Sequence, residues 1–149
     1  MTELPAGWEK TTLGECCETQ LGKTLNRSKQ TGKATIPYLR NINVQWTGFD
    51  LSDLKQMDIP LDERDKFTAC SGDLLVTEGG EPGRCQVWRA NEPIGFQNAL
   101  HRVRPREGLN VDFLKYQIQH LVSSGQLEHL FSGVTIKHFS QSKFRSVPI

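Results

Sequence analysis

"SGDLLVTEGGEPGRCQVWRA", residues 71–90, carries the clearest strand signal in the chain. Ser71-Gly72 is a turn pair. Leu74, Leu75 and Val76 make an apolar run, and "EGGEPG" at 78–83 supplies the glycines and proline of a loop. "RCQVWRA" at 84–90 then returns as a partner strand. This hairpin predicts an antiparallel sheet, and the flanking segments can be read against it.

On the N-terminal side, "LDERDKFTAC" at 61–70 predicts a helical turn capped by Asp62 or a neighbour. On the C-terminal side, "GFQNALHRVRP" at 95–105 continues the sheet. Its alternation sets Ala99, His101 and Val103 on one face, with Asn98, Leu100, Arg102 and Arg104 on the other. Neither face is cleanly apolar, which predicts a strand near an edge. "TIPYLRNINV" at 35–44 reads as another strand, with Pro37 marking an edge or a strand start. Between residues 19 and 34, "TQLGKTLNRSKQTGKA" is a basic, glycine-punctuated loop.

The period changes in the last third. Asn110 is placed as an N-cap, Asp112 suits the first turn, and Val111, Leu114, Ile118, Leu121 and Val122 recur at helical spacing. A further helical turn is expected after Gly125 and a short helix around 139–145. The expected fold is therefore α+β: one domain over residues 1–149, with a twisted, mostly antiparallel sheet and helices gathered in the C-terminal third.

At 149 residues the chain can bury a core of its own. It has no apolar run of the ~18 residues that cross a bilayer and no signal-peptide pattern at its start. A cytoplasmic location is the expectation. Four cysteines, at 16, 17, 70 and 85, include no C-x-x-C pair and read as free thiols.

Net charge is +1 but unevenly spread. Residues 50–81 hold nine acids against three bases, whereas residues 101–149 hold seven bases against three acids. Such a surface would meet a polyanion in one orientation and repel it in another.

Catalytic constellations are missing from the sequence. "GKT" at 22–24 shares its final residues with a phosphate-binding loop, but Cys17 stands where that motif needs its first glycine. His101, His120, His129 and His138 fall on different elements, without a nucleophile elbow or an H-E-x-x-H pair. The expectation is no catalytic residue, no metal site and no enzyme activity in this chain alone.

What accumulates instead is a set of amide, hydroxyl and guanidinium groups near turns. Asn41, Asn43, Gln45 and Trp46 follow one strand. Glu78, Gly79, Gly80 and Arg84 occupy the hairpin loop, while Gln97, Asn98, Thr135 and Lys137 lie near other turns. Asn and Gln pair bidentately with adenine, Arg with guanine, and Glu accepts from cytosine. A double-stranded DNA-reading face is one reading of this pattern. A non-catalytic protein-interaction module that does not read bases is the other.

The ordered series "LPAGWEKTTLGE", "IPYLRNINVQW", "SGDLLVTEGGEPGRC", "QNALHRVRP", "VDFLKYQIQHL" and "GVTIKHFSQSKFRSVPI" resembles a target recognition domain of the specificity (S) subunit of a type I restriction–modification enzyme. The likeness spans essentially the whole chain. It implies the N-terminal recognition domain, with the spacer helix and second recognition domain absent. It also implies reading of half of a split target on behalf of methylation (M) and restriction (R) subunits. S-adenosylmethionine, ATP and Mg would belong to those partners, with no cofactor here. Phosphate contacts are then expected from Lys23, Arg27, Lys137 and some of the arginines at 102–106, Arg102 among them, with Thr24 also at the DNA and bases read by the side chains at 41–46, 78–84 and 97–98. For the interaction module, the resemblance would make the docking partner a methyltransferase.

Overall fold

Leu74, Leu75 and Val76 are all fully buried. Since neighbouring strand residues point to opposite faces, the strand must be covered on both sides. The computed structural model describes residues 3–149. The first half contains α1 (Leu13–Cys16), β1 (Cys17–Leu21), β2 (Thr35–Leu39), β3 (Val44–Gln45), β4 (Gly48–Phe49), β5 (Lys55–Asp58), α2 (Arg64–Phe67) and β6 (Thr68–Ala69). The second contains β7 (Leu74–Thr77), β8 (Gly79–Gly80), β9 (Cys85–Val87), β10 (Ile94–Phe96), β11 (Leu100–Pro105), α3 (Val111–Ser123), β12 (Lys137–His138) and α4 (Gln141–Arg145).

The mostly antiparallel sheet is present as two four-stranded sheets, ordered β1-β11-β7-β9 and β5-β2-β10-β6. Two ribbons, β12-β8 and β3-β4, and isolated bridges at Thr12↔Pro148, Lys23↔Gln97 and Ser132↔His138 add to them. Among the described residues every pair of these strands is antiparallel except β2 with β10. The hairpin read from 71–90 is β7 and β9, in register Leu74↔Val87 to Val76↔Cys85.

The layers follow from strand parity. Leu74, Val76, Val103 and Cys85 face Leu114, Ile118 and Leu121 of α3, together with Phe139 and Phe144. Leu75 and Leu100 face the second sheet, against Leu39, Ile94 and Phe96. Tyr38, Met57 and Ile59 form a smaller cluster with Phe67. Each fully buried Leu, Ile or Phe contributes about 1.5–3 kcal/mol of transfer free energy, so the α3 contact is a large part of what holds the helix down. The Asn110 side chain caps α3, accepting from the N–H groups of Asp112 at 2.9 Å and Phe113 at 3.1 Å. Gly125, with φ +75°, ends it in the left-handed conformation that glycine adopts freely.

Two edge expectations are corrected. β11 is central, paired with β1 through Gln20↔Arg102 and with β7 through Arg102↔Leu75. Its mixed faces do not mark an edge: each lies in an interior, His101 beneath Phe144 and Arg102 between the sheets. β2 is also internal, yet its pairing with β10 covers only Tyr38 and Leu39. At Pro37 that side has not begun to pair, so the proline is locally an edge residue.

The two extremities of the domain are joined. Thr11 and Ile149 exchange both backbone hydrogen bonds, at 3.0 and 2.9 Å, and the Leu13 N–H donates to the Val147 carbonyl at 2.9 Å. This clasp leads directly into β1 at its Cys17 end. Among the described residues no helix is long and apolar enough to cross a membrane.

Candidate nucleic-acid interface

Strand direction decides where the loops go. Leu21 of β1 lies opposite His101, and Thr77 of β7 lies opposite Leu100, so the Leu21 and Thr77 ends meet the start of β11. Phe96 of β10 lies beside Leu39 of β2. The loops at 22–24, 40–43, 78–84 and 97–99 therefore leave from the same end of the two sheets.

Backbone contacts weld them. The Lys23 N–H donates to the Phe96 carbonyl at 3.0 Å, and the Asn98 N–H donates to the Lys23 carbonyl at 3.1 Å. The Gln97 N–H donates to the Leu39 carbonyl, and the Glu78 N–H to the Ala99 carbonyl. The Asn41 side chain donates to the Gly79 carbonyl at 2.9 Å. Gly80 pairs with Lys137 and Gly79 with His138, which brings in the 132–138 loop. Segments widely separated in sequence thus form one continuous end face.

Several side chains nominated from the sequence build that face from below. Asn43 is buried; its Oδ1 accepts from the Arg40 N–H and its Nδ2 donates to the Asp50 carbonyl. Arg84 is buried too, donating to the carbonyls of Val44 and Asn41 and to the Asn41 side chain. The Gln45 amide donates to the Ile42 carbonyl at 2.7 Å. Trp46 is half-buried against the α3 core. Placing Asn43 and Arg84 as DNA contacts is corrected: both are buried, Asn43 spent on loop backbone and Arg84 on loop carbonyls, the Asn41 side chain and the Glu81 carboxylate at 2.9 Å.

Arg102 requires the firmest correction. Its side chain is 3% exposed, and Nη1 donates to the carbonyls of Asp65 at 3.1 Å, Lys66 at 3.0 Å and Thr68 at 2.7 Å. The guanidinium closes the C-terminal end of α2, where carbonyls lack helical partners, and stacks over Phe96 at 5.5 Å. It is a tie between layers, withdrawn from any ligand. Arg104 pairs with Asp73 at 2.8 Å, toward the opposite end of β11.

The basic groups of the 22–33 and 132–138 loops divide in two. Lys23 bonds Glu63 at 2.8 Å, Lys137 bonds Glu128 at 2.8 Å, and His138 approaches Glu78 at 3.1 Å. Arg27 and Lys29, in a 3₁₀ turn capped by Asn26, and Lys33 are exposed without an ion-pair partner among the described residues. The Asp58 carboxylate holds this loop, accepting from the N–H groups of Thr31, Gly32 and Ala34. Those bonds, the Thr31 N–H foremost, lower its pKa from the ordinary carboxylate value. Sequence reading missed Asp58, because an acid in an acidic stretch gives no sign that it serves a loop 24 or more residues away.

Thr24, Gln97, Asn98, Gly80 and Thr135 stay at least partly exposed at the tips. Gln97 and Asn98 sit closest to the join between the sheets, beside Lys23. Among the described residues no group of three His, Cys, Asp or Glu side chains is placed to hold a metal ion. The face offers amides, a hydroxyl-bearing rim and a separate cationic loop, which suits binding rather than bond-making.

Comparison with known proteins bears on the fold. No curated protein matches significantly. Among solved structures, a chain from work on complex assembly and conformational transition of the type I R-M system superposes with TM-score 0.74 at 21% identity, over 99% of this chain and 35% of that one. The HsdS subunit from Thermoanaerobacter tengcongensis gives 0.71 at 22% identity, covering 99% and 34%. A type I restriction-modification S subunit from M. genitalium gives 0.61 at 18% identity, covering 99% and 36%. The chain spans about a third of the length of these proteins, and at such identities the likeness is one of fold. The family model described as "Type I restriction modification DNA specificity domain" matches residues 5–149. This chain belongs to that family of non-catalytic DNA specificity domains.

Proposed function

We propose that this domain reads one half of a bipartite duplex target for a type I restriction–modification complex. Methylation and restriction subunits would perform the chemistry, with their own S-adenosylmethionine, ATP and Mg. The observation that carries this reading is the convergence of the 22–24, 40–46, 78–84, 97–98 and 135–137 segments on one end of the paired sheets.

Roles within the face follow from what each side chain has left to give. Gln97 and Asn98, on the welded floor beside Lys23, read base edges in the major groove. Arg27 and Lys29, with Lys33, meet phosphates and set the register. Lys23 and Lys137 join them only by giving up Glu63 and Glu128. Three freely available cations give a salt slope of about −3 in log affinity against log concentration. Binding is therefore modest for the domain alone, and discrimination rests on the amides.

Duplex binding measured across a salt series, with wild type and single variants, tests the assignment. Arg27→Ala should flatten the slope by about one unit. Gln97→Ala and Asn98→Ala should leave the slope unchanged and erase preference at one or two base pairs, about 1–3 kcal/mol each. A slope unaffected by Arg27→Ala together with preferences unaffected by both amide variants would place the reading face elsewhere.

A further inference from the structure

We propose that the tip Val134-Thr135-Ile136 reads thymine methyl groups, its two apolar side chains taking the C5-methyls that thymine presents in the major groove. This deepens the duplex-reading assignment and rests on it.

Val134 is 98% exposed and Ile136 62% exposed. A lone exposed aliphatic residue is ordinary. Two β-branched ones on a loop held as tightly as this are not accounted for by the domain's own packing. Ser132 and His138 exchange both backbone hydrogen bonds, at 2.9 and 2.8 Å, and close the loop. Gly133, at φ +94°, is required inside it: a Cβ there would fall 2.1 Å from the Ile136 carbonyl oxygen. The Phe139 N–H donates to the Glu78 carbonyl at 2.6 Å, and Lys137 bonds Glu128 across the loop's base. The tip is thus fixed before any ligand arrives, so little ordering entropy opposes its use.

Its position selects the occupant. Lys137 and His138 pair with Gly80 and Gly79, and Asn41 grips the Gly79 carbonyl. The tip therefore adjoins the amide-bearing loops. Ile42, next in the chain after Asn41, is itself 59% exposed. A Cβ built on Gly80 would meet nothing within 4 Å, so the backbone beside the tip is open. In a major groove the thymine methyl is the apolar group among donors and acceptors, and Thr135 between two aliphatic chains adds a hydroxyl for a neighbouring base edge.

The test uses this chain and a randomised duplex library, followed by the enriched duplex resynthesised with deoxyuridine at single thymine positions. Uracil removes only the methyl. We expect at least one thymine whose replacement weakens binding about threefold to tenfold, the scale of one buried methyl, while uracil outside the motif does nothing. The Val134→Ser/Ile136→Thr double variant, whose changes are solvent-facing, should bind thymine and uracil duplexes equally. An enriched motif insensitive to uracil at every position overturns this inference and leaves the duplex reader intact. So does a double variant that still discriminates. Failure to enrich any motif overturns the duplex-reading assignment and this inference with it.

Discussion

Gly22 and Gln97 touch backbone to backbone. A Cβ at position 22 would lie 2.1 Å from the Gln97 carbonyl oxygen and 2.6 Å from that of Phe96. The neighbouring Lys23 N–H donates to Phe96, and the Gly22 N–H donates to Leu100 at 3.0 Å. The join between the sheets thus depends on the absence of a side chain.

Gly22→Ala should therefore cost about 1–3 kcal/mol, as overpacking does in an interior that cannot yield. A urea midpoint shift reads this directly. Base preference assigned to Gln97 should decline with it, because the strained loop carries that side chain. A variant as stable and as selective as wild type would show that the contact can relax.

Arg102→Met keeps the bulk but strips three carbonyls of their donor. Leaving buried acceptors unpaired predicts a loss of about 3 kcal/mol. The salt slope of duplex binding should not change, since this cation faces inward. A stable variant with a flatter slope would return Arg102 to the surface.

His101 sets an acid limit. Its ring is fully buried, stacked on Phe144 at 4.3 Å, with Nε2 donating to the Phe139 carbonyl at 2.7 Å and Nδ1 unpartnered. Burial lowers its pKa from the ordinary histidine value. The unfolded chain then takes up a proton near pH 6.5 while the folded chain does not, so stability falls as pH drops below about 6.5. The fall levels off once pH passes the depressed folded value. His101→Gln should remove this component of the pH dependence, read from denaturant midpoints between pH 7.5 and 5. An unchanged pH profile would mean the histidine is not the group responsible.

Asp58 acts lower on the scale. With its pKa lowered by the Thr31, Gly32 and Ala34 N–H groups, its contribution is present above about pH 3.9, the unfolded carboxylate value, and is lost as pH falls through the folded one. Asp58→Asn should loosen residues 30–34 at neutral pH. Faster amide exchange and proteolysis there would show it, along with weaker duplex binding as Arg27, Lys29 and Lys33 lose their fixed position. Unaltered exchange in that loop would exclude the tether.

Local signals were legible where one segment carries its own answer. Leu74–Val76 with the glycine loop gave the hairpin, and Asn110 with its aliphatic period gave α3 and its cap. The parity of residues 98–104 was also readable, but not what covered each face. That depends on Gln20↔Arg102 and Arg102↔Leu75, pairings between distant segments. A polar side chain near a turn has two uses, satisfying backbone or meeting a ligand, and residue type does not separate them. Asn43 and Gln97 looked alike in sequence; only folding shows that one is consumed. Val134 and Ile136 did leave a trace, as two aliphatic residues alternating with Thr135 and Lys137 just after Gly133.

The Thr11–Ile149 clasp gives the domain the layout of a plug-in cartridge. Residues 11–13 and 147–149 lock together at the foot of β1, while the 22–24, 78–84 and 97–98 loops crown the far rim.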